Sequence, residues 1–203
     1  MRAAAETFYR KGYDATTTQD IADAVGMLKG SLYYYIKAKE DLLYEIIDEV
    51  HMTLAKNLSL VAAMDGDPLP RIWALVYQNV LVNAGNLVNS GVFFRDFGAL
   101  TGKRRNHILE LRDKGDAVMR ELIHEGQLAG AIRSDVDPKI AATGINTMCN
   151  ALYHWYKPDG ELTPDVVARS YADLAVAGLS TSARLVVKAR KAALAAAAAA
   201  ASE

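Results

Sequence analysis

Residues 16–43, TTTQDIADAVGMLKGSLYYYIKAKEDLL, decide how the chain folds. Ile21, Ala22 and Val25 recur at helical spacing and run into Gly26. A second short helical pattern follows from about Leu28 to Tyr35, crowded with Lys29, Ser31, Tyr33, Tyr34 and Tyr35. Two helices joined by a short glycine-containing turn form a helix-turn-helix, whose second helix enters the major groove of DNA. Leu32 and Ile36, four apart, are placed to pack inward, leaving Lys29, Ser31, Tyr34 and Tyr35 on the polar side.

Outward from that stretch, Arg2–Lys11 reads as a helix stopped by Gly12, and Thr17 as the N-cap of the next. Lys39 opens a long amphipathic pattern through Leu42, Leu43, Ile46, Ile47, Val50, Leu54, Leu58 and Val61, ending at the turn Asp65-Gly66-Asp67-Pro68. Helices are expected over 68–88, apolar on several sides, and 92–100, with Asn89-Ser90-Gly91 as the break between them. A long one follows over 103–128, with Gly126 and Gly130 at its fraying end. Asp137-Pro138 and Thr163-Pro164 are cap-plus-proline starts for helices to about Tyr156 and Leu179. No segment alternates in the manner of a strand, so the chain is expected to be all-α. The segments divide into a helix-turn-helix domain at 1–45, a helical domain at 46–182 and a tail at 183–203, helical or disordered.

Bulk properties narrow the class. A chain of 203 residues with 51% hydrophobic and 23% charged residues has material for a substantial core. No apolar run is long enough for a membrane span and no signal peptide opens the chain, and the lone Cys149 fits a reducing cytoplasm. The formal net charge is -1. Residues 1–45 carry six Lys and Arg against seven acids, so DNA binding would require the positive charge to be grouped on one face.

The residues resemble the TetR family of transcription regulators. The resemblance rests on Gly12-Tyr13, Thr16-Thr17-Thr18, Ile21-Ala22, Val25-Gly26, Gly30-Ser31-Leu32-Tyr33 and Lys39-Glu40-Asp41-Leu42, all at the family's spacing. Two positions depart from it. Leu28 stands where Ser commonly caps the reading helix, and Ile36 where an aromatic is common. The resemblance implies that Gln19, Lys29, Gly30, Ser31, Tyr34 and Tyr35 lie at the major groove, with Thr17, Thr18, Tyr33 and Lys39 on phosphates. The head of the fourth helix would reinforce Lys39 there. Any single tyrosine in this group could instead be a packing residue.

The string Asn150-Ala-Leu-Tyr-His-Trp-Tyr-Lys-Pro-Asp-Gly160 resembles a subgroup tied to steroid or fatty-acid catabolism, which implies acyl-CoA thioesters as effectors. A cavity lined by Trp73, Tyr77, Phe93, Phe94, Phe97, Met119, Met148 and Trp155 is implied, with Asn83, Asn86, Arg112, Asn146 and Asn150 as polar anchors. An ordinary aromatic core explains the same residues. Lys103-Arg104-Arg105 fits the phosphates of such a ligand, or a solvated helix start. The last two helices carry small residues among large ones, Ala141, Ala142, Gly144 and Ile145, then Val167, Ala175, Gly178 and Leu179, and the resemblance implies that this pair of helices forms the homodimer interface.

Catalytic signatures are absent. Gly98-Ala-Leu-Thr-Gly-Lys103 is one residue short of a P-loop and is followed by Arg104. His124-Glu125 lacks a second histidine, and Cys149 and His154 do not share a helix face. The expectation is a dimeric, cytoplasmic, ligand-responsive repressor acting on a palindromic operator, without cofactor or metal and not an enzyme. A DNA-bound scaffold controlled by a protein partner is the alternative.

Overall fold

The chain is described by a computed structural model covering residues 1–200. Among the described residues it is all-α, with no strand and one isolated antiparallel bridge, Ile132 to Ser180. The helices are α1 (Arg2–Lys11), α2 (Thr18–Ala24), α3 (Lys29–Leu32), α4 (Lys39–Ala62), α5 (Pro68–Gly85), α6 (Leu87–Asp96), α7 (Gly102–Leu128), α8 (Pro138–Asn150), α9 (Leu152–Trp155), α10 (Pro164–Leu179) and α11 (Ala183–Ala200), with a 3-10 turn at Phe97–Ala99. Two compact units form. One comprises Met1–Thr53 with Asn86–Arg112, the other Leu54–Gly85 with the chain from Asp113 onward. The first therefore includes α6 and the start of α7 as well as the helix-turn-helix.

The first unit has its core where the periodicity puts it. Phe8 of α1, Ile21 of α2, Leu32 and Ile36 around α3, and Leu43, Ile46 and Ile47 of α4 are all buried with Val92, Phe93, Leu100 and Ile108. Ile36 packs inward, in the same cluster as Leu32. In the second unit α5 is the hub, with α8, α9, α10 and α11 all packed on it. Trp73 on α5 is buried and its indole Nε1 donates to Asp173 of α10 at 2.7 Å. The Tyr77 hydroxyl, one turn on, donates to Asp165 at 2.7 Å. Arg71 reaches Glu125 of α7 at 3.1 Å and also donates to the Val61 and Ala62 carbonyls at the end of α4. On α11, Ala189 and Ala193 are buried while Ala195–199 are exposed.

Helix starts follow the caps. Thr17 and Asp20 form a reciprocal capping box, Asp137 accepts from the Lys139 and Ile140 N–H groups, and Thr163 accepts from Val166. Four expectations need correction. The break expected at Asn89-Ser90-Gly91 lies at Asn86, and Ser90 and Gly91 sit buried inside α6. Burial of that turn outweighs the poor helix propensity of glycine, a penalty of only about 1 kcal/mol. The reading helix is shorter than 28–35: α3 stops at Leu32, and the three tyrosines form a tight turn with Tyr34 and Tyr35 bonded three residues back. The helix expected over 138–156 is interrupted at Ala151, whose N–H divides between the Thr147 and Met148 carbonyls.

Gly126 is the fourth. It is buried within α7 rather than fraying, and a Cβ there would lie 2.5 Å from Cδ1 and 2.7 Å from Cγ1 of Ile132, itself buried. Gly126→Ala is expected to lower stability by about 1–3 kcal/mol through overpacking. Gly115→Ala in the same helix, with open space around it, is expected to be neutral or to stabilise by up to about 1 kcal/mol. Urea unfolding midpoints of the two variants check the contrast.

Candidate nucleic-acid interface

The helix-turn-helix is built from a capped helix, a left-handed glycine and a very short second helix. Thr17 Oγ1 lies 2.8 Å from Asp20 Oδ2 and 3.1 Å from the Asp20 N–H, and the Thr17 N–H donates back to Asp20 at 2.8 Å. Lys11 also binds Asp20, at 2.5 Å. That lysine first, then the Thr17 N–H and hydroxyl, hold the Asp20 carboxyl far below the usual carboxylate range. Gly26 turns the chain at φ 68°, a conformation that side chains rarely adopt, while the Met27 N–H closes back on the Ala22 carbonyl at 2.9 Å.

Leu28 opens α3 with no side-chain cap and is 80% exposed. Lys29 and Gly30 are exposed and Ser31 half-buried, and nothing lies within 4 Å of a Cβ at Gly30. Tyr34 is 91% and Tyr35 77% exposed, which removes the packing explanation for both. Tyr33 is half exposed, and its hydroxyl shares a 3.4 Å hydrogen bond with Thr18 of α2. Gln19, exposed on α2, donates from Nε2 to Asp23 at 2.7 Å, so its amide is oriented. The candidates from Thr17 to Tyr35 thus belong to one unit and mostly to its surface.

Lys39 is used differently from the rest. Its ammonium donates to the Tyr13 carbonyl at 2.6 Å and the Thr16 carbonyl at 2.7 Å, and lies 4.2 Å from the Tyr13 ring centroid. Two of its three N–H donors therefore staple the loop between α1 and α2. The approach to α4 is likewise served from within, since the Lys37 and Ala38 N–H groups both donate to Asp41 Oδ2 at 2.7 Å. Asp41 Oδ1 in turn accepts from Arg104 of α7. Lys29 and Lys37 form no ion pair among the described residues.

The residues named for an effector divide between the units. Phe93 is buried in the first, edge-on to His51 at 4.6 Å and beside Phe94 at 4.7 Å and Phe97 at 5.3 Å. The Arg112 guanidinium lies 5.3 Å from the Phe93 ring and 6.0 Å from that of Phe97. In the second unit Trp73 stacks on Tyr77 at 5.0 Å, Met119 is buried, Asn146, Met148 and Asn150 are half-buried on α8, and Trp155 is 43% exposed. A cleft of about 240 Å³ in that unit is lined by Asp67, Leu69, Gly130, Leu185 and Lys188 among others, none of them a residue named for the effector. Of Lys103-Arg104-Arg105, Arg104 is committed to Asp41 and Arg105 lies 5.3 Å from the Phe97 ring. Burial pushes the Cys149 thiol up to about 12, so it stays protonated and unreactive.

Comparison with known proteins places this architecture. Residues 1–46 match the family described as bacterial regulatory proteins, tetR family, and residues 65–179 match the tetracyclin repressor-like C-terminal domain. The chain belongs to the TetR family. It is 28% identical over 179 residues to the HTH-type transcriptional repressor KstR2 of Rhodococcus jostii (strain RHA1), covering 88% of each chain. The ketosteroid transcriptional regulator KstR2 of Mycobacterium tuberculosis shares the fold, with a TM-score of 0.84 at 24% identity over 89% of this chain and 93% of that one. AibR, solved in complex with isovaleryl coenzyme A and operator DNA, is 30% identical with a TM-score of 0.73, over 85% of this chain and 96% of that one. Among the described residues of this TetR-family chain, no helix is long and apolar enough to cross a membrane.

His51 escaped the sequence reading although it occupies an apolar register position, one turn after Ile47. Its Nδ1 lies 2.8 Å from the Ile47 carbonyl, and burial pushes the ring below its ordinary value, against that carbonyl's upward pull. The unfolded chain then binds the proton more readily than the folded one, so stability rises with pH. The contribution is complete above about pH 6.5, the unfolded value, and is lost as pH falls below it. His51→Phe is expected to flatten the stability slope between pH 7.5 and 5.5 by at most about 1.4 kcal/mol per pH unit, read from urea midpoints of both proteins.

Proposed function

We propose that the chain is an effector-responsive transcriptional repressor that sits as a homodimer on a palindromic operator in the cytoplasm. The observation that carries this is the exposure of Lys29 on α3 and of Tyr34 and Tyr35 in the turn that follows it, while Leu32 and Ile36 of the same stretch are anchored in the core. Residues 1–45 are the DNA-reading part. Lys29, Gly30, Ser31, Tyr34, Tyr35 and Gln19 would face base edges, and Thr17, Thr18, Tyr33 and the remaining N–H of Lys39 the phosphates.

Residues 46–182 take the effector and the partner subunit. A hydrophobic or acyl-CoA-type effector is supported by the coenzyme A thioester found with AibR and by the repressor KstR2 among the relatives. Its candidate contacts lie in the two units separately: Phe93, Phe94, Phe97 and Arg112 in the first, and Trp73, Tyr77, Met119, Asn146, Met148, Asn150 and Trp155 in the second. The effector shifts the balance between DNA-fitting and non-fitting states only by its differential affinity for them.

For the dimer, α8 and α10 each leave an apolar stripe uncovered. Ile140 is 74% and Leu174 61% exposed, with Gly144, Val166 and Gly178 also exposed. Ala142, Ile145, Val167, Ala175 and Leu179 face their own core instead. A two-fold dimer on a palindromic operator would space its reading helices by about 34–36 Å, one turn of DNA.

In gel shifts with DNA from upstream of the gene, Lys29→Ala and Tyr34→Ala are each expected to weaken binding by about fivefold to a hundredfold, with melting temperature unchanged. Acyl-CoA thioesters added to the wild-type complex are expected to release the DNA. Undiminished binding by both variants sinks the DNA-reading assignment, and a thioester panel that neither releases DNA nor raises the melting temperature sinks the effector class. Leu174→Glu is expected to convert the dimer to a monomer in analytical ultracentrifugation, and a persisting dimer places the interface elsewhere.

A further inference from the structure

We propose that Arg104 of α7 is a positioning residue for DNA reading, acting through Asp41 to hold the exit of the recognition helix. The inference rests on α3 being the reading element. With four residues and no side-chain cap, α3 has almost no stability of its own, since isolated helices shorter than about 12 residues are marginal in water. Its inward face is anchored by Leu32 and Ile36. Anchoring by two apolar side chains fixes depth but leaves the helix free to pivot.

The exit from α3 is held by a carboxylate whose two oxygens are divided between two partners. Asp41 Oδ2 accepts the N–H groups of both Lys37 and Ala38, at 2.7 Å each. Asp41 Oδ1 accepts from the Arg104 guanidinium, which also lies 5.5 Å from the Tyr44 ring. The neighbouring Glu40 carboxylate takes the Thr101 N–H at 3.0 Å and its hydroxyl at 3.2 Å, one turn earlier on the α7 side. The Ala38 N–H first, with Arg104 and Lys37 behind it, keeps the Asp41 carboxyl below its usual range, so it stays a charged acceptor at neutral pH. Charge-assisted bonds of this kind are short and directional. A carboxyl group is rigid, so displacing Arg104 either breaks its bond to Oδ1 or carries Oδ2 with it. The second course moves residues 37–38, one residue beyond the buried Ile36 and two beyond Tyr35. α7 begins next to the Phe97 cluster, so its first turn couples that cluster to the reading helix.

A surface ion pair that merely ties α4 to α7 would be worth little and would be indifferent to which helix carries which charge. Four variants of the full-length dimer separate the cases. Arg104→Met keeps the stem on Tyr44 and removes the donors. It is expected to weaken operator binding by about tenfold while affinity for unrelated DNA of equal length and the melting temperature are unchanged. The Lys37 and Ala38 amide protons are expected to exchange faster. Arg104→Lys restores a cationic donor and is expected to recover most of the loss. The exchange Asp41→Arg with Arg104→Asp restores the ion pair but leaves Lys37 and Ala38 without their acceptor, and is expected not to recover operator binding. Lys29→Ala is run alongside.

Unchanged operator affinity and unchanged exchange in Arg104→Met, with Lys29→Ala still defective, overturn the relay alone. Loss of specific and non-specific binding in parallel, a fall in melting temperature that accounts for the loss, or rescue by the charge exchange also overturn it. Full binding by Lys29→Ala overturns it together with the assignment of α3. Should Arg104→Met fail to fold, Arg104→Lys decides: unchanged operator affinity together with exposed Lys37 and Ala38 amides sinks the proposal.

Discussion

A reading helix of four residues cannot hold its own shape, and the first unit is arranged around that constraint. Propagation of a helix gains one hydrogen bond per residue only after a costly first turn, and α3 is hardly longer than that turn. Its conformation is therefore supplied from outside. Leu32 and Ile36 sink into the core, the Tyr33 hydroxyl reaches Thr18, and the exit bonds to Asp41. Lys39 performs the matching task at the other side of α2 by stapling the Tyr13 and Thr16 carbonyls. Each support originates in an element other than α3. The reading surface is thus as rigid as its neighbours and no more so, which makes it responsive to whatever shifts them.

The same arrangement reconciles an acidic segment with an anionic partner. Residues 1–45 hold more acids than bases, yet most of the acids near the helix-turn-helix have an internal use. Asp20 is occupied by Lys11 and the Thr17 cap, Asp23 by the Gln19 amide, Glu40 by Thr101 and Asp41 by Arg104 and two backbone N–H groups. Among the described residues the Lys29 and Lys37 side chains form no ion pair. A phosphate at the surface feels the summed field of all of these, in which Asp20 and Asp41 are offset at close range by Lys11 and Arg104. Acidic side chains here act as intramolecular hydrogen-bond acceptors and contribute less to the outer field than the tally suggests.

What was legible in the sequence follows the range of the interaction concerned. Local signals were reliable: Thr17, Asp137 and Thr163 cap where their hydroxyl or carboxylate precedes an apolar register, and Leu32 and Ile36 face inward as their spacing requires. Long-range ones were not. Ser90 and Gly91 read as a break but are buried inside α6, because contacts distant in sequence outweigh a small local penalty. Gly126 read as a fraying end, although the reason for a glycine there is the side chain of Ile132. Arg104 read as a free cation at a helix start, since its partner lies 63 residues earlier. In each case the deciding partner is remote, and no window along the chain contains both members.

The effector residues were the least legible, and the reason is chemical. Aromatic side chains with polar tips serve cores and ligands by the same means, an apolar body and a directed hydrogen bond. Trp73 and Tyr77 looked suited to a ligand, but their donors are spent on Asp173 and Asp165, across the α5 to α10 contact that builds the second unit. Rings without a polar tip carry no such internal commitment. Phe94, Phe97 and His51 gather around Phe93, with Arg112 and Arg105 lying over two of the phenylalanine rings. Among the described residues those two arginines form no ion pair, and each is solvent-exposed with its guanidinium over a ring face. A ring face is a weaker partner for a guanidinium than a carboxylate or phosphate, roughly 0.5–2 kcal/mol against a bidentate charged pair. An anionic ligand group offered to this cluster would therefore displace little, whereas one offered to Arg104 would first have to release Asp41.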